Sequence, residues 1–227
     1  MNQKQGGQNM KANTIKVAEI FRSIAGECNG HMQGRLTTFI RTSGCNLQCK
    51  WKGASCDTPQ TQNFNFGDTM FITDIIEKVE HYKLDHICIT GGEPLLQKNI
   101  GELLRRLWQM GYKISVETNG TIGITPFFRY VESWCVDFKG VDTGYHTDML
   151  LTNYHLLREK DIIKFGISSL REFYEAKKLM QCMNTNAQFA FSPIGDMDAE
   201  TLTSLLLANE MSDAILNIQI HKYLMMQ

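Results

Sequence analysis

Residues 86–110 read HICITGGEPLLQKNIGELLRRLWQM, and this stretch decides the fold. It begins with a short apolar run, residues 86–90, which is typical of a buried strand. A turn containing two glycines and a proline follows. Residues 100–110 then place apolar side chains at positions 100, 103, 104 and 107, on one face of a helix. The stretch predicts a strand, a turn and an amphipathic helix that packs back on the strand.

The same alternation of strand and helix continues along the chain. The predicted strands are residues 37–42, 86–90, 113–117, 134–139, 161–166, 187–192 and 216–221. The predicted helices are residues 72–82, 100–110, 170–181 and 199–209. Alternating strands and helices favour a mainly parallel sheet, and seven strands are too few for a closed eight-stranded barrel. The sequence therefore predicts an α/β fold, a partial (open) parallel β/α barrel of about six to seven strands.

Length and composition limit the possible classes of protein. The chain has 227 residues, which predicts one domain over residues 14–227 behind a polar, disordered N-terminal tail, residues 1–13. With 23 basic and 24 acidic residues, the net charge of -1 gives no reason to expect nucleic acid or a membrane as partner. No apolar run reaches 18 residues, and no apolar centre of a secretory signal is present. A cytoplasmic location is expected.

Three of the seven cysteines, Cys45, Cys49 and Cys56, fall within twelve residues directly after the first core strand. Disulfides are rare in the cytosol, so clustered cysteines there indicate a metal or catalysis. Three thiolates can bind three irons of a [4Fe–4S] cluster and leave the fourth iron open. A structural zinc site would need four protein ligands. The spacing alone leaves a cluster, a zinc site and free thiols open.

These cysteines, followed by Gly91-Gly92-Glu93-Pro94 after the second strand, resemble the radical S-adenosylmethionine (SAM) superfamily. The resemblance implies that SAM binds the open iron and that the GGEP turn lines its methionine amine. One feature departs from the pattern. Six residues separate Cys49 from Cys56, where relatives commonly have two, which predicts a small loop insertion, KGAS, at residues 52–55.

Other segments narrow the resemblance. They are residues 18–27 (AEIFRSIAGE), 34–41 (GRLTTFIR), 56–58 (CDT), 116–121 (VETNGT) and 219–224 (QIHKYL). Together they resemble the 7-carboxy-7-deazaguanine synthases of 7-deazapurine (queuosine and preQ0) biosynthesis. The resemblance implies a lyase that converts 6-carboxy-5,6,7,8-tetrahydropterin to 7-carboxy-7-deazaguanine with release of ammonia. The implied cofactors are a [4Fe–4S] cluster, SAM and Mg²⁺.

The resemblance also assigns roles to matched positions, without a catalytic side chain, because the adenosyl radical is the reactive agent. The implied substrate-binding residues are Ile24, Ala25, Gly26, Glu27, Arg41, Thr90, His221 and Gln227. The implied SAM-binding residues are Gly92, Glu93, Glu117, Asn119, Asp137, Phe138, Lys139, Ser192, Pro193 and Ile194. The implied metal ligands are Cys45, Cys49 and Cys56 for the cluster and Thr58 for Mg²⁺.

Partners and rival functions complete the expectations. The resemblance implies a flavodoxin- or ferredoxin-type reductant and a homodimer. Three alternatives stay open: a glycyl-radical-enzyme activating protein, which shares the cluster motif; a zinc-binding interaction module; and a family member that binds a cluster without turnover.

Overall fold

The predicted alternation of strands and helices builds an open sheet whose outer face is covered by helices. The computed structural model describes residues 13–226, so nearly all of the predicted tail and Gln227 lie outside the described residues. The strands are β1 Thr14–Ile24, β2 Leu36–Thr42, β3 Lys50–Trp51, β4 Ala54–Ser55, β5 Asp68–Phe71, β6 His86–Gly91, β7 Lys113–Thr118, β8 Ser133–Phe138, β9 Ile162–Ile167, β10 Gln188–Pro193 and β11 Ala214–Leu216. The α-helices are α1 Ile72–Tyr82, α2 Ile100–Gln109, α3 Leu151–Leu156, α4 Leu170–Cys182, α5 Ala199–Ala208 and α6 Ile220–Tyr223.

The order of the main sheet is β11-β10-β9-β8-β7-β6-β2-β1-β5. From β2 to β11, each strand runs parallel to its neighbour. This arrangement confirms the open, mainly parallel fold. β1 and β5 extend one edge in antiparallel pairing, and β3 and β4 form a separate hairpin.

Two strands of the sheet, β1 and β5, were not among the predicted ones. Only Ile15 and Val17 of β1 are buried in the alternating manner of a strand, whereas charged residues interrupt its second half. Pairing along the whole of β2 determines its conformation instead. The four predicted helices are present within one residue of their expected bounds.

The prediction for the last strand was wrong. Strand β11 ends at Leu216, and His221 lies in α6 rather than on a strand. The chain leaves the sheet at Asn217, which is fully buried. Its amide donates to Ser192 Oγ over 2.8 Å and accepts from the backbone N–H of Cys28 over 2.8 Å. A buried side-chain amide needs hydrogen-bond partners for both its N–H group and its oxygen. The positions of these two partners turn the chain away from the direction of the strand.

No described helix has both the length and the apolar character that a membrane crossing needs.

Glu172, in the first turn of α4, makes the stability depend on pH. Its side chain is buried, and Oε1 has no hydrogen-bond partner among the described residues. Burial, and then the charge of Asp142, raise its pKa from 4.5 to about 7. The folded chain therefore binds the extra proton between these values, so the free energy of unfolding falls as the pH rises.

We expect Glu172→Gln to remove this pH dependence of the free energy of unfolding. Between pH 5 and pH 8, the unfolding free energy of the native chain should fall by roughly 1–3 kcal/mol relative to the variant. Urea unfolding at both pH values measures the difference. Glu175→Gln, on the exposed side of the same helix, is the control, and an equal response from both variants would contradict the assignment.

Candidate active site

Charged side chains from neighbouring parallel strands meet on the inner face of the sheet. Lys164 on β9 places Nζ 3.3 Å from Asp137 Oδ1 on β8 and 2.5 Å from Glu27 Oε2. Lys139, directly after β8, places Nζ 2.8 Å from Asp137 Oδ2. Burial opposes the charge on Lys164, but Asp137 and Glu27 outweigh it and raise its pKa well above the usual value. The inner face thus holds a network of partly buried ion pairs.

Glu117, on β7, belongs to the same inner face. Its Oε2 accepts a hydrogen bond of 2.8 Å from Thr90 Oγ1 on β6. Burial and the nearby charge of Glu27 raise its pKa, while Lys164 acts in the opposite direction. A carboxyl group in this setting holds a proton more readily than an exposed one.

The segment between β1 and β2, residues 25–35, closes the lower end of the open barrel and is called the floor loop here. Asn29 Oδ1 accepts a hydrogen bond of 2.9 Å from Ser133 Oγ at the start of β8. A Cβ at Gly30 would overlap the carbonyl oxygen of Lys160, before β9. Beneath the charged network, Cys28 packs in a small apolar cluster with Cys135 and two other residues. Glu27 is therefore carried by a loop that is anchored on both sides.

The C-terminal segment crosses the floor loop. The N–H of Ile220 donates to the carbonyl of Gly26 over 2.9 Å, and the Gln219 side-chain amide donates to Glu27 Oε1. A Cβ at Gly26 would lie 2.7 Å from Cγ and 2.9 Å from N of His221. Burial lowers the pKa of His221. Only glycine at position 26 leaves room for His221 in this position.

Arg41, on β2, also faces this side of the sheet. Its Nε donates to Glu19 Oε1 over 2.6 Å, and its guanidinium carbon lies 5.4 Å from the centre of the Phe21 ring. The carboxylate and the ring both come from β1 and hold the guanidinium in place.

The segment between β2 and β5 that carries the three cysteines, residues 43–67, is called the cysteine loop here. It is bonded directly to the GGEP turn. The N–H of Glu93 donates to the carbonyl of Gly44 over 2.8 Å. A Cβ at Gly92 would overlap that same carbonyl oxygen and would lie 2.6 Å from the carbonyl oxygen of Thr61. Glycine at position 92 therefore allows the turn to pack against the backbone of the cysteine loop.

The inserted residues between Cys49 and Cys56 form the β3–β4 hairpin. This hairpin returns the chain on itself, so that the N–H of Cys56 donates to the carbonyl of Cys49 over 3.2 Å. Its turn rests on the loops after β9 and β10, where Lys52 N donates to Ser168 Oγ over 3.3 Å and Lys52 O accepts from Asp196 N over 3.2 Å. The predicted loop insertion is a docked hairpin that keeps the second and third cysteines adjacent.

The three thiols suit an iron–sulfur cluster. Burial raises the pKa of Cys45 and raises that of Cys49 to about 11, where the charges of Cys45 and Cys56 add to the effect. Desolvated thiols that lie close together become thiolates when a metal cluster supplies the positive charge. Within residues 13–226, no three His, Cys, Asp or Glu side chains are grouped to hold one metal ion. In a cubane, each thiolate binds a different iron, so its ligands need not converge on a single point.

Glu93 ties the GGEP turn to the end of β7. Its carboxylate is fully buried and accepts hydrogen bonds from Leu95 N (3.0 Å), Thr118 Oγ1 (2.8 Å) and Asn119 N (2.7 Å). The Asn119 side chain in turn donates to Asn46 Oδ1, inside the cysteine loop, over 3.0 Å. The carboxylate of Glu93 thus joins the GGEP turn to the end of β7. Burial raises its pKa to about 7.

Comparison with known proteins identifies the family. Residues 39–133 match the model of the Radical SAM superfamily. A 7-carboxy-7-deazaguanine synthase of Clostridium acetobutylicum is 34% identical over 214 residues, which cover 91% of this chain and 94% of that protein. The chain belongs to the 7-carboxy-7-deazaguanine synthase family.

A second relative agrees with this identification, and one solved structure bears on the fold. The 7-carboxy-7-deazaguanine synthase of Methanospirillum hungatei is also 34% identical, over 92% of this chain and 85% of that protein. The crystal structure of QueE from Escherichia coli shares the fold, with a TM-score of 0.69 over 96% of this chain and 100% of that one, at 21% identity.

Most of the remaining positions that the family resemblance singled out lie at or next to the ends of strands β1 and β10. Ile24 ends β1, and Ala25 starts the floor loop with a hydrogen bond from its N–H to Arg35 O. Ser192 and Pro193 end β10, and Ile194 packs against Gly166. The Phe138 side chain, in contrast, points into the hydrophobic core beside Phe165 and Tyr154. Gln227 lies outside the described residues.

Three residues of this family member were missed by sequence reasoning. Lys164 and Gln219 both contact Glu27, and Asn217 joins the floor loop to β10. For Lys164 a signal existed, since a lone lysine inside the apolar run IIKFGI needs a buried partner of opposite charge. For the other two, no sequence signal distinguishes them from ordinary polar loop residues.

Proposed function

We propose that the chain is a radical SAM carbon–nitrogen lyase that converts 6-carboxy-5,6,7,8-tetrahydropterin to 7-carboxy-7-deazaguanine and ammonia, in 7-deazapurine biosynthesis. One observation carries the proposal: the cysteine loop is bonded to the GGEP turn beside an inner face lined with partly buried charges. The names of the relatives that span over nine-tenths of the chain supply the product, 7-carboxy-7-deazaguanine, and the family resemblance supplies the pterin substrate and the release of ammonia.

In this proposal, Cys45, Cys49 and Cys56 hold the [4Fe–4S] cluster. When bound and reduced, the cluster supplies the electron that splits SAM to give the adenosyl radical. The backbone of Gly92 and the side chain of Asn119, both next to the cysteine loop, hold the methionine end of SAM. Glu117, Asp137, Lys139 and residues 192–194 line the rest of its pocket, while Glu93 and Phe138 act through the backbone they position.

The pterin binds over the floor loop. Glu27 is anchored and pairs with the Lys164 ammonium, and a carboxylate in this position can pair twice with the guanidine-like N–H edge of the pterin. Arg41 and His221 bind the substrate carboxylate, since a guanidinium presents a fork of donors. Thr90 and the backbone of residues 24–26 complete the contacts, and the terminal residue Gln227 is a further candidate.

Thr58 is the proposed Mg²⁺ ligand. It stands at the N-terminal cap of a short 3₁₀ helix, yet its hydroxyl makes no capping hydrogen bond. The hydroxyl instead lies 3.8 Å from Cys56 Sγ, so it can face a metal ion beside the cluster. Mg²⁺ takes few protein ligands and keeps several waters, which fits a single threonine oxygen plus the substrate carboxylate.

Three further expectations belong to the proposal. They are the flavodoxin- or ferredoxin-type reductant, the homodimer and the cytoplasmic location. None of them is needed for the chemistry to be tested in isolation, because a chemical reductant can replace the protein donor.

The direct test uses the anaerobically reconstituted chain with dithionite, SAM, Mg²⁺ and 6-carboxytetrahydropterin. We expect 5′-deoxyadenosine, 7-carboxy-7-deazaguanine and ammonia, identified by mass spectrometry and an ammonia assay. An intact cluster with no cleavage of SAM would mean that the KGAS hairpin has removed turnover. Cleavage of SAM without the deazaguanine product would overturn the substrate assignment.

Gly26→Ala tests the contact between the floor loop and α6. The added methyl group overlaps the His221 ring and crowds its backbone nitrogen, so the C-terminal segment must shift. We expect KM for the pterin to rise about tenfold or more, as for overpacking that costs 1–3 kcal/mol. Gly123→Ala, where the nearest atom is 3.8 Å away, should leave KM unchanged. Equal KM values for both variants would contradict the proposed pterin position.

A further inference from the structure

Among the ion pairs of residues 13–226, the one that joins the floor loop to the parallel strands is made by Lys164. Its ammonium contacts Glu27, 137 residues away, and Asp137 in the neighbouring strand. Asp137 has a second cation, Lys139, at 2.8 Å. Glu27, in contrast, pairs with Lys164 and with the neutral amide of Gln219. Loss of Lys164 would therefore leave Asp137 paired and Glu27 without its cation.

We infer that Lys164 is a positioning residue that keeps the Glu27 carboxylate charged and fixed for the pterin. The inference rests on the proposed function and adds a residue to it. The family resemblance assigns Lys164 no role, and its side chain is only 15% exposed. An isolated carboxylate in a buried site takes up a proton rather than remain charged. A protonated Glu27 would present one acceptor and one donor, and could no longer pair twice with the N–H edge of the pterin.

Other charges around this site add to the effect. Glu117 on β7 raises the energy of a charged Glu27, and His221 and Cys135 lie near from α6 and β8. Lys139 is bonded to Asp137 rather than to Glu27. Without Lys164, the two carboxyl groups Glu27 and Glu117 would repel each other with no cation between them. A carboxylate without a neighbouring cation takes up a proton more readily as the pH falls, so the loss of pterin binding should be greatest at low pH.

The test compares Lys164→Met and Lys164→Arg with the native chain, all reconstituted with the cluster. In the Met variant, we expect KM for 6-carboxytetrahydropterin to rise about tenfold or more at pH 6.5 and to recover part of this loss at pH 8.5. The kcat at saturating pterin and the affinity for SAM should change by less than about threefold. The Arg variant should restore KM to within about threefold of the native value.

Two controls separate this inference from simpler explanations. Lys160→Met removes the lysine of an exposed pair with Glu132, two residues that lie just before β9 and β8, and should leave KM unchanged. If the Met variant does not fold, Lys164→Gln replaces it, because Gln keeps a donor without the charge. An unchanged KM, or a loss that is equal at both pH values and in the Arg variant, would overturn the role of Lys164. If the native chain itself turned over no pterin, the proposed function would fail first, and the inference with it.

Discussion

Cys56→Ala should abolish both the cluster absorbance near about 400 nm and the reductive cleavage of SAM. A [4Fe–4S] cluster in this loop depends on three thiolates, and no other cysteine is part of the segment to replace the third. We expect cleavage to fall below detection after anaerobic reconstitution. Optical spectra and the yield of 5′-deoxyadenosine measure the two losses together.

Cys182→Ala is the matched control. Cys182 is exposed at the end of α4 and far along the chain from the loop, so this variant should keep the full absorbance and rate. A Cys56→Ala variant that retained the cluster spectrum would show that the third ligand had been misassigned. Loss of the spectrum in both variants would show that reconstitution depends on thiols in general.

Gly92→Ala should reduce cleavage of SAM by about tenfold to a hundredfold. Its added methyl group would overlap the Gly44 carbonyl and lie 2.6 Å from that of Thr61, and these backbone atoms have little freedom to move. Overpacking of this kind typically costs 1–3 kcal/mol. The GGEP turn must then separate from the cysteine loop, and the binding position of the SAM amine moves away from the cluster. Single-turnover formation of 5′-deoxyadenosine provides the measurement.

The control for this glycine is Gly123→Ala, in open space beside Leu150. It should cleave SAM at the native rate. A Gly92→Ala variant with native SAM affinity and native cleavage would show that the packing of the turn on the cysteine loop is unrelated to cofactor binding.

The parallel part of the fold was predictable because its signals are local. Each strand of the parallel part between β2 and β10, namely β2 and β6 to β10, is an apolar run followed by a turn or a helical face, as in residues 86–110. β1 escaped prediction because its conformation depends on pairing with β2, and the end of β11 because it depends on the side-chain contacts of Asn217. Where tertiary contacts determine the conformation of the backbone, the hydrophobic periodicity of the sequence does not predict it.

The candidate site also has a part that is predictable from local motifs and a part that depends on long-range contacts. The cysteines and the GGEP turn were found because each is a short motif with its own spacing. The contact of Lys164 with Glu27 spans 137 residues. Nothing in the sequence around either residue predicts the other as its partner. The hairpin between Cys49 and Cys56 was expected as a small insertion, but its docking on the loops after β9 and β10 required the three-dimensional structure.

The rival functions are now less well supported. Relatives named 7-carboxy-7-deazaguanine synthase, at 34% identity over more than nine-tenths of the chain, favour that reaction over the activation of a glycyl-radical enzyme. A zinc-binding module would give no reason for the GGEP turn to be bonded to the cysteine loop.

Metal and sulfide analysis of the anaerobically purified chain tests most directly whether the three thiols hold an iron–sulfur cube. The expected result is iron and acid-labile sulfide in equal amounts, about four of each per chain, and their joint loss in Cys56→Ala. One zinc per chain without sulfide would contradict the proposed cluster, and with it the assignment of the chain as a radical SAM enzyme.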